Sequence, residues 1–393
     1  MKDVTQPVRA RGTMLSAVTV VAALAALLAL APFASAASDP LASGTTTVTL
    51  SKNMFKKLKK SGTKLIKVSP GTVKARNVAL PVSGGSLDPT NGQGTIEQSG
   101  GIKFKHGKKS AVVKALVFET ASSSLKANVA GKKMKFASLS GVSSARNGFG
   151  ANVTFGTLKL TGSAAKQLNK KLGFTGKQKK KAPFKGGKGI GSALSETQPK
   201  TVTVLATNNA TLETSLATVG KLVAANVLEI EPIEPAVPIA ALPPTFAFPI
   251  SGGTIAPDAS SGIVQTSGGL KLIQTLVPGE TTMTLNAIYV DLGAKTATVE
   301  VTIASTFSEE INKLGNTGRS SIADISLTGA TIKSDPSART VSVENASASL
   351  QEITAEVLNN VFVKPFEAIE EEPAEPFAKG DPLGTFSFTA QTQ

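Results

Sequence analysis

Residues 81–104, PVSGGSLDPTNGQGTIEQSGGIKF, and residues 249–272, PISGGTIAPDASSGIVQTSGGLKL, align without a gap at a constant offset of 168. Both keep Pro, Ser-Gly-Gly, a second Pro, one Gly, a second Ser-Gly-Gly and a Lys, and most other differences exchange one aliphatic residue for another. Two further matches follow in the same order. Ala165-Lys166-Gln167-Leu168-Asn169 recurs as Ala355-Glu356-Val357-Leu358-Asn359. Pro183-Phe184 with Gly187, Ile190 and Gly191 recurs as Pro376-Phe377 with Gly380, Leu383 and Gly384. The chain is therefore one module made twice, with boundaries expected at residues 44–198 and 201–390. The offset grows from 168 to 190 and then 193, so the second copy carries extra residues, expected in longer hairpin loops.

Between these motifs the hydrophobic period is two. Ile102-Lys103-Phe104-Lys105-His106 and Lys133-Met134-Lys135-Phe136 alternate apolar residues with lysine, and Leu125, Ala127 and Val129 do the same among polar neighbours, as do Val299, Val301 and Ile303. Such strands bury one face and wet the other, the habit of antiparallel sheets. The Ser-Gly-Gly triplets and Asp88-Pro89-Thr90-Asn91-Gly92 punctuate them as turns. Short helices are predicted at 52–60 and 163–172, with 309–314 and 350–362 as their second-copy equivalents. Lys177 to Lys188, Glu229 to Pro244 and Glu367 to Glu375 are too polar to fold alone and are expected as loops or linkers. The predicted fold class is mainly β: two tandem antiparallel β-sandwich-like modules, each with one or two short helices.

Composition bounds the function. Met1 to Ala36 carries Lys2, Arg9 and Arg11, an apolar run from Met14 to Leu30, and Ala34-Ser35-Ala36 before Ala37, the pattern of a signal peptide cleaved after Ala36. Pro32 and the small-residue site end the apolar run, which favours cleavage over a retained anchor, and no later stretch is apolar enough to span a bilayer. The mature chain is expected to be secreted or associated with the cell envelope. Cysteine is absent, so there are no disulfides, no thiol nucleophile and no lipoprotein anchor. Charge separates the halves: residues 37–200 hold 30 Lys and Arg against 5 Asp and Glu, and residues 201–393 hold 9 against 21. A polycation is followed by a polyanion, and fields of this size attract counter-charged partners and each other.

Sites of catalysis are largely excluded by subtraction. His106 is the sole histidine, so zinc sites of two or three histidines cannot be built, and no pair of acids forms a recognisable constellation. No enzymatic activity is expected. Asp88 to Gly92 lacks the later bidentate Glu of a calcium loop and reads as a turn. On a strand His106 shares a face with Phe104 and Ile102, and its counterpart in the second copy is Gln274. The lysines at 56, 57, 59 and 60, at 108 and 109, and at 177 and 179–181 suggest an anionic partner. Stacking aromatics and arginines are too few for nucleic acid. Anionic cell-wall polymer, lipid headgroups or the acidic module itself are better candidates; the alternative is that lysine only keeps a sheet protein soluble and its edges unpaired.

The order of motifs resembles the Htaa (haem-transport-associated) domain family. The resemblance is carried by the Gly-Gly-x-Leu/Ile-x-Pro turns at 84–89 and 252–257, by Ser99-Gly100-Gly101-Ile102-Lys103-Phe104-Lys105-His106, by Leu160-Thr161-Gly162-Ser163-Ala164-Ala165 with Leu168-Asn169, and by the Phe-x-x-Gly-x-x-x-Gly pattern at 184–191 and 377–384. It implies β-rich domains that capture haem, with a tyrosine as axial ligand and a nearby histidine in support. His106 matches the histidine, which makes His106 and Phe104 the candidate haem contacts and His106 the candidate ligand of the haem iron. The family's tyrosine is expected where this chain has Leu58. Tyr289, the only tyrosine, aligns near Val117 within a strand and is a poor substitute. Two functions follow as expectations: haem binding or acquisition through the first module, or a non-enzymatic structural or adhesive envelope protein that holds anionic wall polymer and has lost haem ligation.

Overall fold

The computed structural model describes residues 38–370 and 374–393. The amino-terminal segment read as an export signal, with cleavage after Ala36, lies outside them. No helix among the described residues is long and apolar enough to cross a membrane.

Antiparallel strands dominate, in two sheets that share one topology. In the first, strand Lys109–Glu119 pairs with Gly94–Gln98 on one edge and with Ser124–Val129 on the other. From Gly94–Gln98 the hydrogen-bonded path runs through Asn77–Leu87, Asp39–Leu50, Gly189–Pro199, Gly150–Leu160 and Lys132–Asn147, and returns to Ser124–Val129. The sandwich-like layers implied by the alternation thus close into a ring of eight strands. The second sheet closes in the same way through Gly279–Asp291, which pairs with Gly262–Thr266 and Thr296–Ser305. A two-stranded ribbon extends each ring: Gly101–His106 with Thr63–Val68, and Gly269–Leu276 with Val227–Ile233.

The conserved glycines of the repeat are explained by this closure. Both rings carry a bulge at the same place, between Val82 and Gly84 and between Ile250 and Gly252. Gly85 and Gly253 then sit at φ 108° and 121°, and a Cβ on either would lie 2.2 Å from the Thr95 carbonyl oxygen or 1.9 Å from that of Ile263. Only glycine fits so close a backbone approach. The Asn-Phe motif has an equally local cause. The Asn169 side-chain amide donates to the Phe184 carbonyl at 2.8 Å and its oxygen accepts the Phe184 N–H at 3.4 Å; Asn359 does the same to Phe377 at 2.9 and 2.8 Å.

Helices Lys52–Lys60 and Gly162–Lys171 cap the first ring, with Ser51 and Thr161 as side-chain N-caps. Their counterparts in the second are Leu216–Ala224 and Glu352–Leu358, the latter continued by a π-turn at Asn359–Val363 and by Lys364–Glu370. The expected equivalence of 309–314 with the first helix is corrected: Glu309–Asn312 belongs to the longer connection after strand Thr296–Ser305. Leu216–Ala224 escapes a periodic reading because its exposed face carries Leu216 and Val223 where Lys52–Lys60 carries lysines. The expected linker at 229–244 is also corrected, since it forms strands Val227–Ile233 and Val237–Ala241. Glu229 and Glu231 face solvent while Val227 is buried, and an edge strand tolerates proline.

The rings meet at a hydrogen-bonded junction. Asp39 Oδ1 accepts from the Thr203 N–H at 3.2 Å and from its hydroxyl at 3.3 Å, the Lys200 N–H donates to the Pro40 carbonyl at 2.6 Å, and Arg146 donates to the Gln393 carbonyl at 2.8 Å. Phe149, from a hairpin of the first ring, packs in the hydrophobic cluster of the second. Asp39 is buried, and its Oδ2 has no hydrogen-bond partner. Burial raises its pKa from 3.8 to about 6, against the Thr203 bonds and Arg146, with Asp88 adding to the rise. The folded state therefore favours the protonated form: stability from this group is complete below pH 3.8 and is lost as pH rises through about 6. Asp39→Asn keeps the acceptor for Thr203 and removes the ionisation. Thermal melts are expected to show the variant matching wild type near pH 3.5 and melting higher above pH 6; a constant difference across that range would contradict the assignment.

Candidate functional site

His106 ends its strand opposite Thr63, where the ribbon meets the ends of both capping helices. Its Nδ1 is 3.1 Å from the carbonyl oxygen of Leu172, the residue that caps helix Gly162–Lys171, and its ring stacks on Phe174 with centroids 4.4 Å apart and planes 26° apart. At the corresponding place in the second ring, Gln274 donates from Nε2 to the Phe362 carbonyl at 2.7 Å and to the Ala225 carbonyl at 2.6 Å. Two different side chains thus bind the carbonyls of matching residues, Leu172 and Phe362, in the second capping helix of their own ring. This makes position 106 a clasp between ribbon and helix. Phe104, two residues earlier, is buried and meets Phe184 edge to face at 5.0 Å. Leu58 is 1% exposed.

The oxygen donor that the resemblance implies for a haem is missing here. Leu58 has no atom that can ligate iron, and the cavity bounded by Met54, Phe104 and Phe184 holds about 20 Å³. His106 turns Nδ1 to Leu172 and a ring face to Phe174, which leaves Nε2 as its one atom for a ligand. Tyr289 points away from the interior, between buried Ile288 and Val290, with the Arg319 guanidinium 3.7 Å from its ring centroid. In the Asp88 turn, Oδ1 accepts from the Thr90 N–H at 2.8 Å and from its hydroxyl at 2.5 Å.

Around the clasp the first ring gathers charge. Lys57, Lys59 and Lys60 end one helix and Lys170 and Lys171 end the other, which suits the negative end of each helix dipole. Gly62 faces the His106 ring, and the Lys109 side chain lies over Gly173, so both helix ends and the hairpin with Lys108 and Lys109 share one corner. Only Lys126 with Glu119 forms an ion pair among the described cations of residues 38–200. Of the lysines predicted to seek an anion, those at 57, 59, 60, 108 and 109 are exposed and meet at this corner.

The second ring differs inside. The equivalent space holds about 130 Å³ and is walled by apolar side chains with Thr214, Thr218 and Thr354. The Thr214 and Thr218 hydroxyls donate to the Pro244 and Pro382 carbonyls, which commits their polar atoms. Strand register shows how the space arose. Phe118 pairs with Leu125 in the first ring, and Val290 pairs with Ala297 in the second. Leu139 pairs with Leu158 in the first, and Ile325 pairs with Ala348 in the second. Each unfilled Leu-to-Ala change in a core costs about 2–5 kcal/mol. The sequence reading missed these residues because it followed matches, and the signal lay in mismatches of size at inward positions.

Residues 238–365 match the family model HtaA, described as Htaa. Among solved structures, the chain is similar to the C-terminal domain of HtaA from Corynebacterium glutamicum, at 14% identity over 41% of this chain and 99% of that one, with a TM-score of 0.30. It is also similar to the N-terminal domain of the same protein, at 14% identity over 48% of this chain and 99% of that one, with a TM-score of 0.34. The comparison with curated proteins gave no match.

If position 106 is a clasp, glutamine should serve there as it does at 274. His106→Gln is expected to melt within about 0.5 kcal/mol of wild type, whereas His106→Ala should lose about 1 kcal/mol in denaturant unfolding. Equal losses in both variants would contradict the clasp.

Proposed function

We propose, with residues 238–365 as an Htaa-family segment for premise, that this chain is an exported, non-catalytic protein of the cell envelope. In this reading it keeps the family's scaffold twice and uses the first ring to hold an anionic wall polymer. The family is associated with haem transport, which gives the envelope setting. The observation that carries the reading is the lysine corner, where three clusters meet with no acid paired to them among the described residues. Cationic side chains left solvated at one corner give a field that a polyanion can neutralise along its length. Haem capture through His106 and Phe104 is the competing reading from the family. It is supported less well, because Leu58 replaces the oxygen donor and the space beside Phe104 is filled.

Retention of the purified chain on isolated cell walls should fall steeply between 0.1 and 1 M salt, as the Debye length shrinks from about 10 Å to about 3 Å. Replacing Lys56, Lys57, Lys59 and Lys60 by Gln should lower retention several-fold at the lower salt. Retention unchanged by salt would overturn the reading. Hemin titration is expected to give no Soret shift at micromolar concentration; a shift that His106→Ala abolishes would restore the haem reading.

A further inference from the structure

We propose that the second ring is a binding site for the single hydrocarbon chain of an uncharged lipid, such as a monoacylglycerol or a long-chain alcohol. The space of about 130 Å³ inside this ring abuts a second of about 250 Å³ alongside helix Glu352–Leu358, and the two share Met283, Leu285, Ile322, Thr354 and Leu358 as walls. An apolar cavity of about 150 Å³ stays dry and takes up benzene, so on that scale the two spaces together have room for a chain of about ten to fifteen carbons that passes between their shared walls. Its outer part is built by the longer connection of the second copy, which contributes Leu314, and by strand Asn316–Ser326. The first ring turns directly from Val129 to Lys132 at this point.

The mouth and the lining define the ligand's chemistry. Leu314 and Ile353 line the outer space and are 47% and 65% exposed, which gives a chain an apolar way in. No titratable side chain lines either space, so neither a metal nor a charged group finds a partner there. Ser321, in the outer wall, has a buried hydroxyl with no hydrogen-bond partner. A hydroxyl or ester at the head of the chain would satisfy it. The surrounding half of the molecule carries 21 acids against 9 cations, which disfavours a carboxylate head. In the first ring the same interior is closed to about 20 Å³, so the proposed site belongs to one copy.

The test is displacement of the neutral fluorophore 1-aminoanthracene from the purified full chain by 1-monodecanoylglycerol, decan-1-ol and decanoate. The neutral chains should displace it at micromolar concentration, and decanoate should need at least ten-fold more. The double variant Ala297→Leu with Ala348→Leu restores the first ring's side chains; it should weaken binding at least ten-fold while its melting temperature holds or rises. If that variant melts lower, Ile353→Glu at the exposed mouth replaces it and should weaken the neutral chains at least five-fold. Failure of the neutral chains to displace the probe, or wild-type affinity in the filled variant or in its replacement, would overturn the proposal. Equal affinity for decanoate would overturn the uncharged head.

Discussion

Closure of eight antiparallel strands into a ring fixes the bore of each half, and everything else in the molecule depends on that constraint. An eight-stranded ring is just wide enough for side chains to fill. Backbone spacing is set by hydrogen bonds, so a smaller inward side chain cannot be answered by drawing the strands together. Volume removed at Ala297 or Ala348 therefore remains as volume. The same constraint explains the glycines at 85 and 253, where the bulge that re-aims the strand leaves no room for a Cβ.

The two copies use this frame in opposite ways. The first is packed to its centre by Leu58, Phe104, Phe118, Phe155 and Leu158, and its chemistry is at the surface, where lysines gather at the helix ends. The second has a hollow interior. Residues that look functional in one copy become structural beside the other. His106 binds the Leu172 carbonyl as Gln274 binds that of Phe362, and Asn169 binds Phe184 as Asn359 binds Phe377.

Much of this was legible in the sequence, for identifiable reasons. The turn glycines, the Asn-Phe pairs and the alternation at Leu125, Ala127 and Val129 are local demands, and local demands leave local patterns. Strand closure is not local: Lys109–Glu119 pairs with strands on both edges through register alone. Helix Leu216–Ala224 lacked a polar face to give it away, and the strands at 227–241 were hidden by the Pro and Glu of an exposed edge. At the candidate site, the strand face that His106 shares with Phe104 and Ile102 was foreseeable from the alternation. The bond of His106 to Leu172 required the fold, and the cavity required both folds with their registers matched.

The central claim, that one frame is filled in the first copy and hollow in the second, is tested most directly by diffraction from crystals held under xenon pressure. Xenon enters dry apolar cavities of this size and ignores filled cores. The account predicts xenon density among Ala297, Ala348 and Leu358 and none beside Phe104 and Phe184. Xenon in both rings, or in neither, would contradict it.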